Sequence, residues 1–206
     1  MISVIMPSLF MIDGTVERIK QVCAHPLVGE FIVIDNTIEG GNIKEDIPKL
    51  VYIEEKKNTF VNPAWNKGVS LAKYDKLMFL NDDVITDFAL IDKVYDYITE
   101  DRGMIGIGEG CWEKTGEVFE IKPVYEFPGA YACLFFMHKN SYRNIPEELK
   151  VWYGDNWLFD KTGKQPYKFV NWKLDGYISA TISTPKIFPI AKEDEIAWIN
   201  KIRHIV

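Results

Sequence analysis

The residues best suited to chemistry cluster where an apolar run stops. Lys76, Leu77, Met78, Phe79 and Leu80 have strand character and lead directly into Asn81, Asp82 and Asp83. A run this short, without helical period, predicts a strand buried on both faces. In open α/β sheets, ligands bind in the crevice beyond the carboxyl ends of the strands, and carboxylates placed there can hold a divalent cation against a phosphate. The same residue types also serve in turns and helix caps, because Asp and Asn accept hydrogen bonds from free backbone N–H groups. The spacing by itself leaves both roles open. Two further carboxylates occupy comparable places: Asp35 ends the apolar run at 31–34, and Asp155 opens a helical pattern backed by Trp157, Leu158 and Phe159.

The elements that must position these groups follow from periodicity. Residues 2–6 form a short apolar strand stopped by Pro7 and Ser8, and 15–24 an amphipathic helix with Val16, Ile19, Val22 and Cys23 on one face, ended by Pro26. Strands at 31–34 and 50–53 follow, separated by a loop containing Gly40 and Gly41. Asn62 and Pro63 read as a cap and first-turn proline opening a helix through Tyr74, with Trp65, Val69 and Ala72 inward. After the acidic strand end comes a helix at 88–98. The second half reads as strands at 104–107 and 130–137, a hairpin over 111–121 turning at 114–116, and a short helix at 139–144. Strands near Phe169 and at 177–183, then a helix over 193–203, complete the chain. Strands alternating with helices predict an α/β fold with a mainly parallel sheet.

Composition narrows the functional classes. The chain has 206 residues, 47% hydrophobic and 26% charged, which suits one core of ordinary size and a single domain. Cys23, Cys111 and Cys133 are odd in number and lack C-x-x-C spacing, arguing against a disulfide framework and a zinc site and fitting a reducing cytoplasm. The first residues lack the flanks of a signal peptide, and the longest uncharged apolar run thereafter, 127–137, is too short to span a bilayer. A net charge of −6 disfavours general binding to a phosphate backbone, although Lys161, Lys164 and Lys168 form a local basic group. Glycines 106, 108 and 110 do not complete G-x-G-x-x-G, and no G-K-[ST] phosphate loop exists.

The ordered segments SVIMPS, FIVIDN, Asn58 with AWNKGVSLA, FLNDDV and YGDNWLF resemble the family 2 glycosyltransferases of the GT-A fold. The resemblance runs from residue 2 to about residue 160. It implies one GT-A domain over 1–206, with 1–100 the nucleotide-sugar half and 101–206 the acceptor side, and an inverting transfer assisted by Mn²⁺ or Mg²⁺. By the same resemblance, Pro7, Ser8, Asp35, Asn58, Asn66, Gly68, Asn81 and Asp82 contribute to the donor pocket, Asp83 holds the metal, and Asp155 is the catalytic base. Trp112, Tyr131 and Trp157 are candidates to stack on an acceptor sugar.

Several positions depart from the family pattern. Asn81 stands in place of the first acid of D-x-D, Gly154 where Glu is frequent, Phe60 where Gly is usual, and Trp65 where a basic residue is common. The late strands lack the His that many relatives give to the metal. The implied mechanism is a single displacement: a metal at Asp83 neutralises the leaving diphosphate, and an ionised carboxylate takes the proton of the attacking hydroxyl. The competing functions are a nucleotide-sugar-binding protein without transfer activity and a sugar nucleotidyltransferase. The latter would need a Gly-rich basic loop where this chain has PSLFMIDG. Acceptors within the family's range are glycans, lipid-linked sugars, proteins and modified bases of phage DNA.

Overall fold

The computed structural model describes residues 1–113, 118–176 and 184–205. In chain order the elements are β1 (Ile2–Ser8), α1 (Thr15–Ala24), β2 (Val28–Asp35), β3 (Leu50–Glu54), α2 (Val61–Leu71), β4 (Lys76–Leu80), β5 (Ile85–Thr86) and α3 (Leu90–Val94). They continue with β6 (Arg102–Ile107), β7 (Glu120–Pro123), β8 (Leu134–His138), α4 (Gly154–Lys161), β9 (Gln165–Val170), β10 (Leu174–Asp175) and α5 (Phe188–Asn200). Eight strands form one sheet in the order β3-β2-β1-β4-β8-β6-β9-β7, while β5 and β10 pair separately. β1 runs parallel to both β2 and β4, and β2 to β3; β8 is antiparallel to β4 and β6. The architecture is mixed α/β with a central, mostly parallel sheet between helices.

Alternation along the central strands builds two cores. In β1, Ile2, Val4 and Met6 point to one side and Ile5 to the other; in β4, Met78 and Leu80 oppose Leu77 and Phe79. Because both faces are covered, these strands are apolar at nearly every position, as the sequence predicts. The first core receives Ile19, Val22 and Cys23 from α1; the second receives Ala64, Trp65 and Val69 from α2. There Phe79 stacks on Phe135 at 4.3 Å, and Trp65 meets both rings edge-on. α2 lies so close to β1 that a Cβ at Gly68 would sit 2.4 Å from Ile5 Cγ2.

Element ends differ from the sequence expectation where tertiary contacts decide. α2 begins at Val61 with Phe60 in the cap position, so Asn62 is a helical residue whose amide serves a distant loop instead of a cap. The 88–98 helix contracts to α3 and a 3₁₀ turn at Tyr95–Tyr97, and the 139–144 helix to a 3₁₀ turn at Lys139–Ser141. Of the expected 130–137 strand only 134–137 is extended, within β8; the preceding residues turn along the cavity described below. β7 pairs with β9 and not within a 111–121 hairpin, whose tip at 114–116 lies outside the described residues, as does the 177–183 strand. The last helix starts at Phe188, with Pro189 in its first turn, and ends at Asn200, followed by a 3₁₀ turn at Ile202–His204.

Candidate active site

The parallel pairing of β1 with β2 and β4 brings three carboxyl ends side by side, and a cavity of about 370 Å³ lies beyond them. One wall carries Pro7, Ser8, Asn36, Asn58, Asn81, Asp82 and Asp83; the other carries Val151, Trp152, Tyr153, Asp155 and Asn156. Phe60, Asn62, Trp65, Ala130, Ala132 and Cys133 also line it.

On the first wall, the Ser8 hydroxyl donates to Asp82 Oδ2 at 2.5 Å and accepts from the Phe10 N–H at 2.9 Å. Arg18 reaches over from α1, and its Nη2 donates to the Asp82 carbonyl at 2.6 Å. Burial pushes the Asp82 carboxyl above its ordinary range, opposed by hydrogen bonds from Ser8 and the Leu9 N–H and by the Arg18 charge. Asp83 is buried at 6% exposure. Asp35 lies behind the wall rather than on it: it is fully buried, its Oδ1 accepting from the N–H and hydroxyl of Thr37 and its Oδ2 from Asn42 and Tyr52. Burial raises this carboxyl, but the bonds from Asn42, Thr37 and Tyr52 outweigh it and hold it below its ordinary value. Its neighbour Asn36 is the residue that faces the cavity.

Asn36 and Asn58 shape the loop that leads into α2. Asn36 Oδ1 accepts from the Thr59 hydroxyl at 2.7 Å, and Asn58 Oδ1 from the Phe60 N–H at 2.9 Å. Phe60 is thereby held at φ 67° and ψ 175°, a region that is essentially glycine's and costs a side-chain-bearing residue ~1–3 kcal/mol. The chain keeps a glycine conformation without the glycine.

The second wall depends on two remote residues. Asp194 of α5, 1% exposed, accepts from the N–H groups of Lys150, Val151 and Trp152 at 3.0, 2.6 and 2.8 Å. Asn62 Nδ2 donates to the carbonyls of Leu149 and Trp152 at 3.3 and 3.1 Å. Tyr153, at φ 60°, then turns the chain into α4. Asp155 is the second residue of that helix and not its cap; its Oδ1 accepts from the Asn156 N–H at 3.0 Å. Asp155 is half-buried and borders the cavity, and desolvation pushes its pKa up to about 6 against the hydrogen bonds of Asn156 and its own N–H. Gly154 is required here, since a Cβ would lie 2.1 Å from Asn62 Oδ1. The amide occupies the space a side chain at 154 would need.

Of the residues singled out in the sequence, Pro7, Ser8, Asn58, Asn81, Asp82, Asp83 and Asp155 meet at the cavity. The others do not line it, for definite reasons. Asn66 ties α2 to the 142–145 segment, its Nδ2 donating to Ile145 O and its Oδ1 accepting from Tyr142 and the Ile145 N–H. Gly68 is a packing residue under Ile5. Tyr131 is fully buried with its hydroxyl on the Met104 and Tyr167 carbonyls, leaving no ring face for a sugar. Trp157 packs against the second core, and Trp112 lines a separate hollow with Ala130, Leu174, Asp175 and Gly176. Sequence reasoning missed Asn36, Asn62 and Asp194 as site builders; an amide beside a strand end was a visible signal only for the first.

For a metal, the chemistry of the donor set is limited but fitting. Among the described residues no group of three or more His, Cys, Asp or Glu is placed to hold a metal, and the Asp82 carboxylate is engaged by Ser8. Asp83 with Asp82 suits a hard cation that takes one or two protein carboxylates and completes its shell with phosphate and water, as Mg²⁺ commonly does.

A central, mostly parallel sheet between helices, with acids and amides beyond its strand ends, is the fold of the GT-A glycosyltransferases, and solved structures share that fold. S. aureus TarS 1–349 superposes with a TM-score of 0.62 at 12% identity, covering 98% of this chain and 73% of that one. GalNAc-T7, solved with UDP, GalNAc and Mn²⁺, superposes with a TM-score of 0.57 at 13% identity, covering 96% of this chain and 49% of that one. The chain likewise spans 40% of the longer S. aureus TarS structure, at a TM-score of 0.56 and 12% identity. No curated protein sequence matches the chain. The glycosyl transferase family 2 profile matches residues 3–162. The chain belongs to that family and is a glycosyltransferase.

Proposed function

We propose that the protein transfers a sugar from a nucleoside-diphosphate sugar to an acceptor hydroxyl in one displacement that inverts the anomeric centre, with Asp155 as general base. The observation that carries this reading is the placement of Asp155, its pKa raised to about 6, in the same cavity as Asp82 and Asp83. Pro7, Ser8, Asn36, Asn58 and Asn81 form the nucleotide wall, and Asp35 acts through Thr37, Asn42 and Tyr52 as a positioning residue behind it. Asp83, with Asp82 beside it, would hold a Mn²⁺ or Mg²⁺ ion, which would supply Lewis acidity to offset the charge of the departing diphosphate. The attacking hydroxyl gives its proton to Asp155 as the new glycosidic bond forms and the sugar–phosphate bond breaks. One base and one displacement imply inversion. Residues 1–100 serve the donor and 101–206 the acceptor, a hydroxyl on a glycan, lipid-linked sugar, protein or modified nucleic acid. Three unpaired cysteines fit work in a reducing cytoplasm, and no helix among the described residues is long and apolar enough to cross a membrane.

The test is a panel of nucleotide sugars and acceptors with Mn²⁺, followed by mass spectrometry, with the anomeric configuration of donor and product read by NMR. Transfer with inversion is expected. Product of retained configuration contradicts the single displacement, and binding without turnover on any acceptor favours a nucleotide-sugar-binding role.

A further inference from the structure

Two buried side chains in the cavity lining each carry a buried polar atom with no hydrogen-bond partner among the described residues: Asn62 Oδ1 and Trp65 Nε1. Their residues are 1% and 4% exposed, and both line the cavity that contains Asp155. They stand three positions apart in α2, which puts them on one helix face. Buried polar groups are nearly always satisfied, so two such atoms together on one cavity wall point to a ligand.

The amide cannot be reversed to relieve the deficit. Nδ2 is fixed by two carbonyls, those of Leu149 and Trp152, and a flipped amide would set its oxygen against both. Oδ1 therefore stays over Gly154, where a Cβ would be 2.1 Å away. The indole is equally fixed, edge-on to Phe79 at 5.7 Å and to Phe135 at 5.2 Å. Asn62 presents an acceptor that needs a donor, and Trp65 a donor that needs an acceptor. A phosphate only accepts, so it would leave Asn62 Oδ1 without a donor. A hydroxyl both donates and accepts, and so matches the two atoms.

We propose that Asn62 and Trp65 form a subsite that grips a hydroxyl group of a sugar ring and so helps to set which sugar the enzyme accepts. The inference rests on the nucleotide-sugar reading above. The same hydroxyl chemistry is offered by the donor sugar and by an acceptor sugar, and the experiment separates them.

The ¹⁵N-labelled protein is titrated with UDP, GDP and dTDP, then with UDP-glucose, UDP-galactose, UDP-N-acetylglucosamine, GDP-mannose and dTDP-glucose, and with methyl glucosides and galactosides added over each nucleoside diphosphate. Binding is measured in parallel by calorimetry. The Trp65 indole N–H resonance, one of six indoles in the chain, is assigned through bonds and by its loss in Trp65→Phe. A downfield shift with a nucleotide sugar, absent with the matching diphosphate, places the hydroxyl on the donor; a shift only on adding a methyl glycoside places it on the acceptor. Trp65→Phe should weaken binding of that sugar about fivefold while leaving diphosphate affinity unchanged, the effect of losing one hydrogen bond. If a nucleotide sugar binds while the Trp65 resonance stays still in both arms, the inference is overturned and the function is not. If no nucleotide or nucleotide sugar binds, the nucleotide-sugar reading itself is overturned, and the subsite falls with it.

Discussion

The two walls of the cavity are built by different means. Ser8, Asn81, Asp82 and Asp83 simply continue or follow their own strands, and the parallel register of β1 and β4 places them together. Residues 149–156 have no strand to extend. They are held by Asp194, 42 to 44 positions later in the chain, and by Asn62, 87 to 90 positions earlier. The strand-end wall therefore inherits its geometry from the sheet, whereas the wall that carries Asp155 owes its geometry to the hydrogen bonds of two buried side chains remote in sequence, Asp194 and Asn62. Substitutions of the second kind should cost more stability, and should reach catalysis indirectly.

That contrast is open to direct attack. Asp155→Asn keeps the shape and the acceptor for the Asn156 N–H but cannot take a proton, so turnover should fall by ~10²–10⁴-fold with nucleoside-diphosphate affinity retained. Asp194→Ala strips three N–H groups of their acceptor; a loss of ~2–5 kcal/mol is expected in denaturant unfolding, with kcat lowered more than donor affinity. Gly154→Ala drives a Cβ into an amide that cannot yield and should cost ~1–3 kcal/mol. Ser8→Ala, on the strand-end wall, removes one hydrogen bond to Asp82 and should cost only about 1 kcal/mol. If Ser8→Ala proves as disruptive as Asp194→Ala, the two walls are not different in kind.

What was legible in the sequence follows the same division. Apolar runs stopped by polar residues located β1, β2 and β4 and the groups at their ends, because strand and ligand are neighbours in the chain. The family resemblance added Asp155. Asn62 looked like a helix cap and Asp194 like an ordinary residue of an amphipathic helix, since their partners lie at the other end of the sequence. Asn66, Gly68 and Tyr131 lie outside the cavity lining, a placement the sequence does not reveal because an amide, a glycine and a tyrosine inside a core have the same letters as those at a binding surface. The resemblance also flagged Phe60 and Gly154 as departures; their cause, a glycine-like backbone at one and the Asn62 amide filling the space at the other, is visible only in three dimensions.

The role of Asp155 as base is tested most directly by pH. Burial raises its folded-state pKa from 3.8 to about 6, so the group adds stability below about pH 4 that is lost as pH rises through about 6. Asp155→Asn should accordingly gain stability relative to wild type at pH 7.5 and not at pH 4. Catalysis runs the opposite way, because only the ionised carboxylate accepts a proton. The decisive measurement is kcat/KM from pH 5 to 8 for both proteins. Wild type should rise through an apparent pKa near 6 to a plateau, and Asp155→Asn should be low and without that limb; a variant that keeps the wild-type profile would contradict the account.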